Sequence, residues 1–173
     1  LAMLALLVLT LAQPRFNWQL LQARQIVLIV DNSASMNALA GMQTRLERAR
    51  ARAIDLIDDM RYFDTMAIIT AGTEPRVICG LTGHQRTLRQ AVKSILPTDG
   101  PTRTADSADI AARLLANEDH PTILALTDQP IKRKNLTAIP IMGRDDNVGI
   151  TRYAVRRSLI DPIGFEILVT VSN

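Results

Sequence analysis

Residues 25–30 read Gln-Ile-Val-Leu-Ile-Val and stop at Asp31. An unbroken apolar, β-branched run of this kind has no polar face to offer water, so it predicts a strand buried on both sides. Strands of that type need helices above and below them. The pattern recurs at Thr65–Thr70 (TMAIIT) and at Thr122–Leu126 (TILAL), with further strands expected at Ala138–Met142 and Val148–Val155. Between them lie helical periodicities. Over Arg45–Met60, Leu46, Ala49, Ala53, Leu56, Ile57 and Met60 fall on one stripe, while Arg45, Arg48, Arg52 and Asp59 lie mostly outside it, as on a solvated face. Helices are also expected over Gln85–Ile95 and Ala105–Asn117. Pro75–Cys79 has proline at its start, which suits a short antiparallel strand at a sheet edge. Strands alternating with helices imply an α/β fold, a doubly wound and mostly parallel sheet with helices on both faces.

The two ends read differently. Leu1–Ala12 is continuously apolar and is followed by Gln13-Pro14-Arg15. As a helix it would span about 18 Å, against about 30 Å for a bilayer core. A signal-peptide core and a buried helix both compete, but the first lacks a charged start and the second a polar face. The favoured expectation is a truncated transmembrane helix over 1–14, with a juxtamembrane linker over 15–24 in which Arg15, Asn17, Trp18 and Arg24 suit an interfacial exit. At the other end Phe165–Val171 (FEILVTV) reads as a strand. Residues 151–173 are expected to open a following β-rich domain, leaving 25–150 as the α/β domain.

Composition excludes several functions. Aromatic residues make up 3% of the chain, too few for a stacking platform, and the net charge of +3 is spread over several segments. No nucleic-acid partner is expected. One cysteine, Cys79, and two separated histidines, His84 and His120, offer no zinc spacing. Neither GxSxG, GxxxxGK[ST] nor GxGxxG occurs.

In a doubly wound sheet, ligands bind at the carboxyl ends of the strands. Asp31-Asn-Ser33-Ala-Ser35 leaves one such end, and Leu126-Thr127-Asp128 leaves another. Alternate residues of an extended loop project the same way, so the oxygens of Asp31, Ser33 and Ser35 can converge. Oxygen-only donors are hard and suit Mg²⁺ or Mn²⁺ over Zn²⁺, with Ca²⁺ ranking behind. The Pro97–Thr104 loop can add a hydroxyl from Thr102 or Thr104. Taken alone, the first pentapeptide could equally be a turn or a helix cap. Asp99 is read as a turn residue.

Together these stretches resemble the metal-ion-dependent adhesion site of von Willebrand factor A (vWA) domains. The family pattern is DxSxS after the first strand, a threonine from a middle loop and an aspartate after a later strand. Here it is met by DNSASM, DGPTRTADSADIA and LTDQP, in that order, within about residues 24–150. The resemblance implies direct metal coordination by Ser33, Ser35 and the loop threonine, with Thr102 preferred over Thr104. It implies that Asp31 and Asp128 act through water. Ala34 stands where glycine is frequent, and Gln129 replaces the glycine of TDG. The apolar segment before the domain and the phrase DNVGITRYAVRRS after it are similar to bacterial membrane-anchored vWA proteins of the BatA (aerotolerance-regulator) type. That narrower resemblance implies an inner-membrane protein with its vWA domain on the periplasmic side, associated with a MoxR-type AAA+ ATPase system.

A cation held by neutral hydroxyls keeps net positive character and an open position. The expectation is therefore a non-enzymatic module that binds a protein presenting an acidic residue. Two alternatives stand beside it. One is a receiver- or phosphatase-type α/β domain using Asp31. The other is a vWA scaffold whose metal site is degenerate.

Overall fold

The computed structural model describes residues 3, 23–116, 121–131, 133–141, 149–157 and 163–172. In chain order the described elements are β1 (Gln25–Val30), a 3-10 turn (Ala34–Asn37), β2 (Leu39–Ala40), β3 (Gln43–Thr44) and α1 (Arg45–Asp58). Then come β4 (Thr65–Thr70), β5 (Arg76–Thr82), α2 (Gln85–Ser94), α3 (Thr104–Leu114), β6 (Thr122–Thr127), β7 (Leu136–Pro140), β8 (Gly149–Arg157) and β9 (Phe165–Ser172).

Five strands form one sheet in the order β5-β4-β1-β6-β7. β1 runs parallel to both β4 and β6, and β6 runs parallel to β7. β5 is antiparallel to β4 and closes the edge. The sheet is thus mostly parallel with helices on both faces, as the apolar runs required. Successive side chains of a strand point to opposite faces, and β1 feeds two cores in this way. Ile26, Leu28 and Val30 pack with Met66 and Ile68 under α1 and α2. Val27 and Ile29 pack with Ala67 and Ile69 under Ala108 and Ala111 of α3. Each Leu or Ile buried this way contributes about 1.5–3 kcal/mol. The polar surface that a one-sided strand would need is absent from β1 because both faces are covered.

α1 starts where the sequence supplies a capping box. The Thr44 hydroxyl accepts from the Glu47 amide at 3.1 Å, and the Glu47 carboxylate accepts from the Thr44 amide at 2.8 Å. Leu46, Ala49, Ala53 and Ile57 point inward from it. The arginines between them do not form a uniformly solvated face. Arg48 donates to the Ala40 carbonyl and Arg50 to the Ile95 carbonyl. Arg45 is largely buried. A long side chain can run its apolar stem along a surface and still place its charged head on a partner, which periodicity does not reveal.

Below the sheet, at the starts of β1 and β4, Asp64 is 1% exposed. It accepts from the Arg24 amide at 3.0 Å, from Arg24 Nε at 3.1 Å and from the Arg61 amide at 3.1 Å. Burial pushes its carboxyl up. The Arg24 guanidinium, the two amides and the Arg24 charge outweigh that and hold the carboxyl below the usual range.

Smaller differences from expectation concern element limits. β5 extends to Thr82 rather than ending at Cys79, and α3 begins at Thr104. The 3-10 turn and the small β2–β3 hairpin, turned at Gly41 with φ 82°, had no periodicity to announce them. No helix occurs among the described residues between β6 and β7. The strands expected near both 148–155 and 165–171 pair antiparallel as β8 and β9. Their apolar side chains, among them Tyr153, Phe165 and Leu168, are exposed. The membrane segment expected at 1–14 lies outside the described residues apart from Met3, as does the linker apart from Ala23 and Arg24. No described helix is long and apolar enough to cross a membrane.

Candidate metal centre at the ends of β1 and β6

β1 and β6 are neighbours whose outward connections diverge, and the register Val30↔Leu126 sets their ends level. The chain after each strand therefore meets the other. The Asp31 amide donates to the Leu126 carbonyl at 2.9 Å. Asp31 itself is 0% exposed. One of its carboxylate oxygens accepts from the Ser33 amide at 3.0 Å, the other from the Thr127 hydroxyl at 2.8 Å. Such an aspartate is a brace behind the loop. With both oxygens engaged and no solvent access, it is poorly placed as the phospho-acceptor of a receiver-type domain.

Ahead of Asp31 the loop turns outward. Ser33 Oγ stands 3.3 Å from Ser35 Oγ, and the Ser35 hydroxyl donates to Asp128 Oδ1 at 3.2 Å. The 3-10 turn beyond them, closed by the Met36 amide on the Ser33 carbonyl at 3.0 Å, keeps both serines on one side. The middle loop is tied to the first by backbone bonds. The Ala34 amide donates to the Gly100 carbonyl at 3.0 Å and the Thr98 amide to the Asn32 carbonyl at 2.8 Å. Ser33, Ser35, Asp99, Gly100, Thr102 and Gln129 consequently line one shallow cleft.

Thr102 shares that cleft with the two serines, and Thr104 does not line it. The two threonine hydroxyls are nevertheless 3.0 Å apart, and Thr102 donates to the Ala71 carbonyl at 2.9 Å. Asp99 is exposed at the rim. Gln129 lines the cleft, and its backbone amide donates to Thr127 Oγ1 at 3.1 Å, so the replacement of glycine there leaves the loop anchored.

One residue of this cluster is missed by sequence reasoning. Arg45 Nη1 donates to Asp128 Oδ2 at 2.7 Å, and the two side chains are only 11% and 10% exposed. The expectation of a solvated arginine is corrected by that carboxylate, 83 positions further along the chain. A signal was present. Arg45 opens α1, where the helix dipole disfavours a cation, so its charge needed a partner from elsewhere.

The donor set can be tested for a hard cation. Among the described residues no three His, Cys, Asp or Glu side chains converge to hold a metal. A cation here would depend on hydroxyls. Adjacent ligands of an octahedral Mg²⁺ lie about 2.9 Å apart, from metal–oxygen distances of about 2.0–2.1 Å. The Ser33 and Ser35 hydroxyls, 3.3 Å apart, need to close by only a few tenths of an ångström, and Asp128 Oδ1, 3.2 Å from Ser35 Oγ, stands behind them. The residues present fit such an ion.

A family model described as the von Willebrand factor type A domain matches residues 26–130. The chain belongs to the von Willebrand factor type A domain family. The match spans β1 to just beyond Asp128, and so contains every residue of the cleft. Domains of this family are generally interaction modules. Among solved structures, the vWA fold here is similar to that of conserved hypothetical protein BatB from Bacteroides thetaiotaomicron, with a TM-score of 0.60 and 17% identity over 87% of this chain and 82% of that one. It is similar also to an aerotolerance-related membrane protein from Bacteroides fragilis, with a TM-score of 0.58 and 19% identity over 86% and 81%. A three-domain structure of the type V pili tip protein Mfa5 from Porphyromonas gingivalis matches with a TM-score of 0.54 and 22% identity, over 61% of this chain and 20% of that one. No curated protein sequence matches the chain.

Proposed function

We propose that this vWA domain is a metal-dependent protein-binding module. Ser33, Ser35 and Thr102 would hold a Mg²⁺ or Mn²⁺ ion, with Asp31 and Asp128 behind them. A carboxylate from a partner protein would complete the coordination. The observation that carries this is the run of oxygens Ser33 Oγ, Ser35 Oγ and Asp128 Oδ1, spaced 3.3 and 3.2 Å apart at the ends of two adjacent strands. Neutral hydroxyls in front and carboxylates behind leave a bound dication with charge to share. The bound ion supplies an electrophilic position for an acidic side chain, and the protein supplies the pre-set loop. The open cleft, which is neither deep nor apolar, suits a protein surface better than an enclosed small molecule.

The likeness to BatB and to the aerotolerance-related membrane protein supports a wider reading. The full protein would be anchored in a bacterial inner membrane by the apolar segment at 1–14, with the vWA domain on the periplasmic side, and would work with a MoxR-type AAA+ ATPase system. The Mfa5 match lends a further example of the fold, in a pilus tip protein.

Thermal unfolding under MgCl₂ or MnCl₂ tests the central claim. An ion present at 100 times its dissociation constant stabilises the fold by about 2.7 kcal/mol. For a chain of this size that is a rise in Tm of roughly 5–11 °C. The Ser35→Ala and Asp31→Ala variants should lose the rise. A wild-type Tm that stays flat up to about 10 mM of either ion would overturn the reading.

A further inference from the structure

Arg45 is an expensive residue for its position. It occupies the first position of α1, where the dipole opposes a cation. Its side chain is nearly buried, and its Nε has no hydrogen-bond partner. The helix needs nothing from it, since Thr44 and Glu47 already cap the start. What the guanidinium does hold is Asp128, at 2.7 Å, on the oxygen opposite the one that meets Ser35. Asp128 thus has one oxygen turned to the candidate metal cluster and the other to a fixed positive charge.

We propose that Arg45 is a built-in counter-charge of the metal site, which makes the domain hold a divalent cation loosely and an acidic partner firmly. The inference rests on the proposed metal-dependent function. The charged side chains of the cluster that are buried or nearly so are Asp31, Asp128 and Arg45, and their charges sum to −1. Adding a dication gives +1, which one partner carboxylate brings to zero. Without Arg45 the same groups carry −2, the loaded site is neutral, and a carboxylate gains little by approaching. Asp99 is exposed at the rim, where solvent and salt screen it. Arg45 therefore trades cation affinity for anion affinity at one site. Even at a water-like dielectric constant, a unit charge one side chain away from a dication changes its binding by about tenfold.

The test uses Mn²⁺ alone, followed by electron paramagnetic resonance or calorimetry, on the full chain and on Arg45→Gln and Arg45→Lys. Arg45→Gln should bind Mn²⁺ about tenfold more tightly, and Arg45→Lys should stay near the wild type. Acetate then serves as the carboxylate probe. Added to the Mn²⁺-loaded proteins, it should displace bound water, read by proton relaxation, at lower concentration for the wild type than for Arg45→Gln. Equal or weaker Mn²⁺ binding by a folded Arg45→Gln overturns the proposal. So does acetate binding that is unaffected by the substitution. If Arg45→Gln fails to fold, the pair Asp128→Asn and Arg45→Gln/Asp128→Asn reads the same charge without leaving a buried carboxylate unpaired. The double variant must then bind Mn²⁺ more tightly than the single one, and equality overturns the proposal. Failure of the underlying reading looks different: neither the wild type nor any Arg45 variant would bind Mn²⁺.

Discussion

Replacing Asp64 by alanine tests how the lower end of the sheet is held. The carboxylate is 1% exposed and joins the starts of β1 and β4 through the Arg24 amide, the Arg61 amide and the Arg24 guanidinium, whose Nη2 lies 2.5 Å away. Alanine leaves two amides without their acceptor, at about 1–3 kcal/mol each. The ion pair itself adds less than a fully buried one, because the Arg24 side chain is 43% exposed and can return to water. The sum is about 3 kcal/mol, or a fall in Tm of roughly 6–12 °C. The two amides meet different carboxylate oxygens, so Asp64→Asn keeps an acceptor for only one of them and should lose somewhat less, about 2 kcal/mol. Urea unfolding measures both. The acid limb adds a check on sign. The folded-state carboxyl sits below its ordinary value, so its charge stabilises the protein above about pH 4 and that contribution fades as pH falls through the folded-state value. The gap between wild type and Asp64→Asn should therefore be constant from neutral pH down to about pH 5 and narrow below about pH 4. A loss below about 1 kcal/mol for Asp64→Ala, or a gap that widens in acid, would refute the account. Asp64 lies at the opposite end of the strands from the cleft. Cation binding by Asp64→Asn should match the wild type at a temperature where both are folded.

Two further perturbations address the cleft itself. Thr127→Val removes the hydroxyl that serves both Asp31 Oδ2 and the Gln129 amide; the expected cost is about 1–3 kcal/mol in urea unfolding together with weaker Mn²⁺ binding, and unchanged values of both would deny Asp31 its bracing role. Gly72→Ala would set a Cβ 2.5 Å from Thr98 Oγ1 and 2.6 Å from Asn32 Oδ1, atoms that both belong to the joined loops. A loss of about 1–3 kcal/mol is expected, and a neutral result in the same assay would mean that the two loops part more easily than their backbone bonds imply.

The path from sequence to site is uneven, and particular residues show why. β1 is legible because Ile26 to Val30 are all buried, and burial on both faces writes itself into an unbroken apolar run. Asp31, Ser33, Ser35 and Asp128 are legible because each follows such a run, where doubly wound sheets gather polar residues. Thr102 is preferred over Thr104 in the sequence only through the family pattern; Thr102 lines the cleft and Thr104 does not, yet their hydroxyls are 3.0 Å apart. Arg45 is legible only as a cation at an unfavourable helix start; its periodicity assigns it a face of α1 and says nothing of a partner 83 positions away. The 3-10 turn and the β2–β3 hairpin are too short to carry a period.

By itself, then, the sequence determined the layers of this protein: which runs must be covered on both sides, roughly where the helices lie, and which strand ends carry oxygens. Those are local properties, set by periodicity, capping and turn chemistry. Only the tertiary structure decided the order β5-β4-β1-β6-β7, which makes β1 and β6 neighbours and sets Asp31 against Thr127. It alone joined Ser35 to Asp128 and Asp128 to Arg45. Those pairings connect residues far apart along the chain, and their distances depend on sheet register and helix docking, which no local pattern encodes.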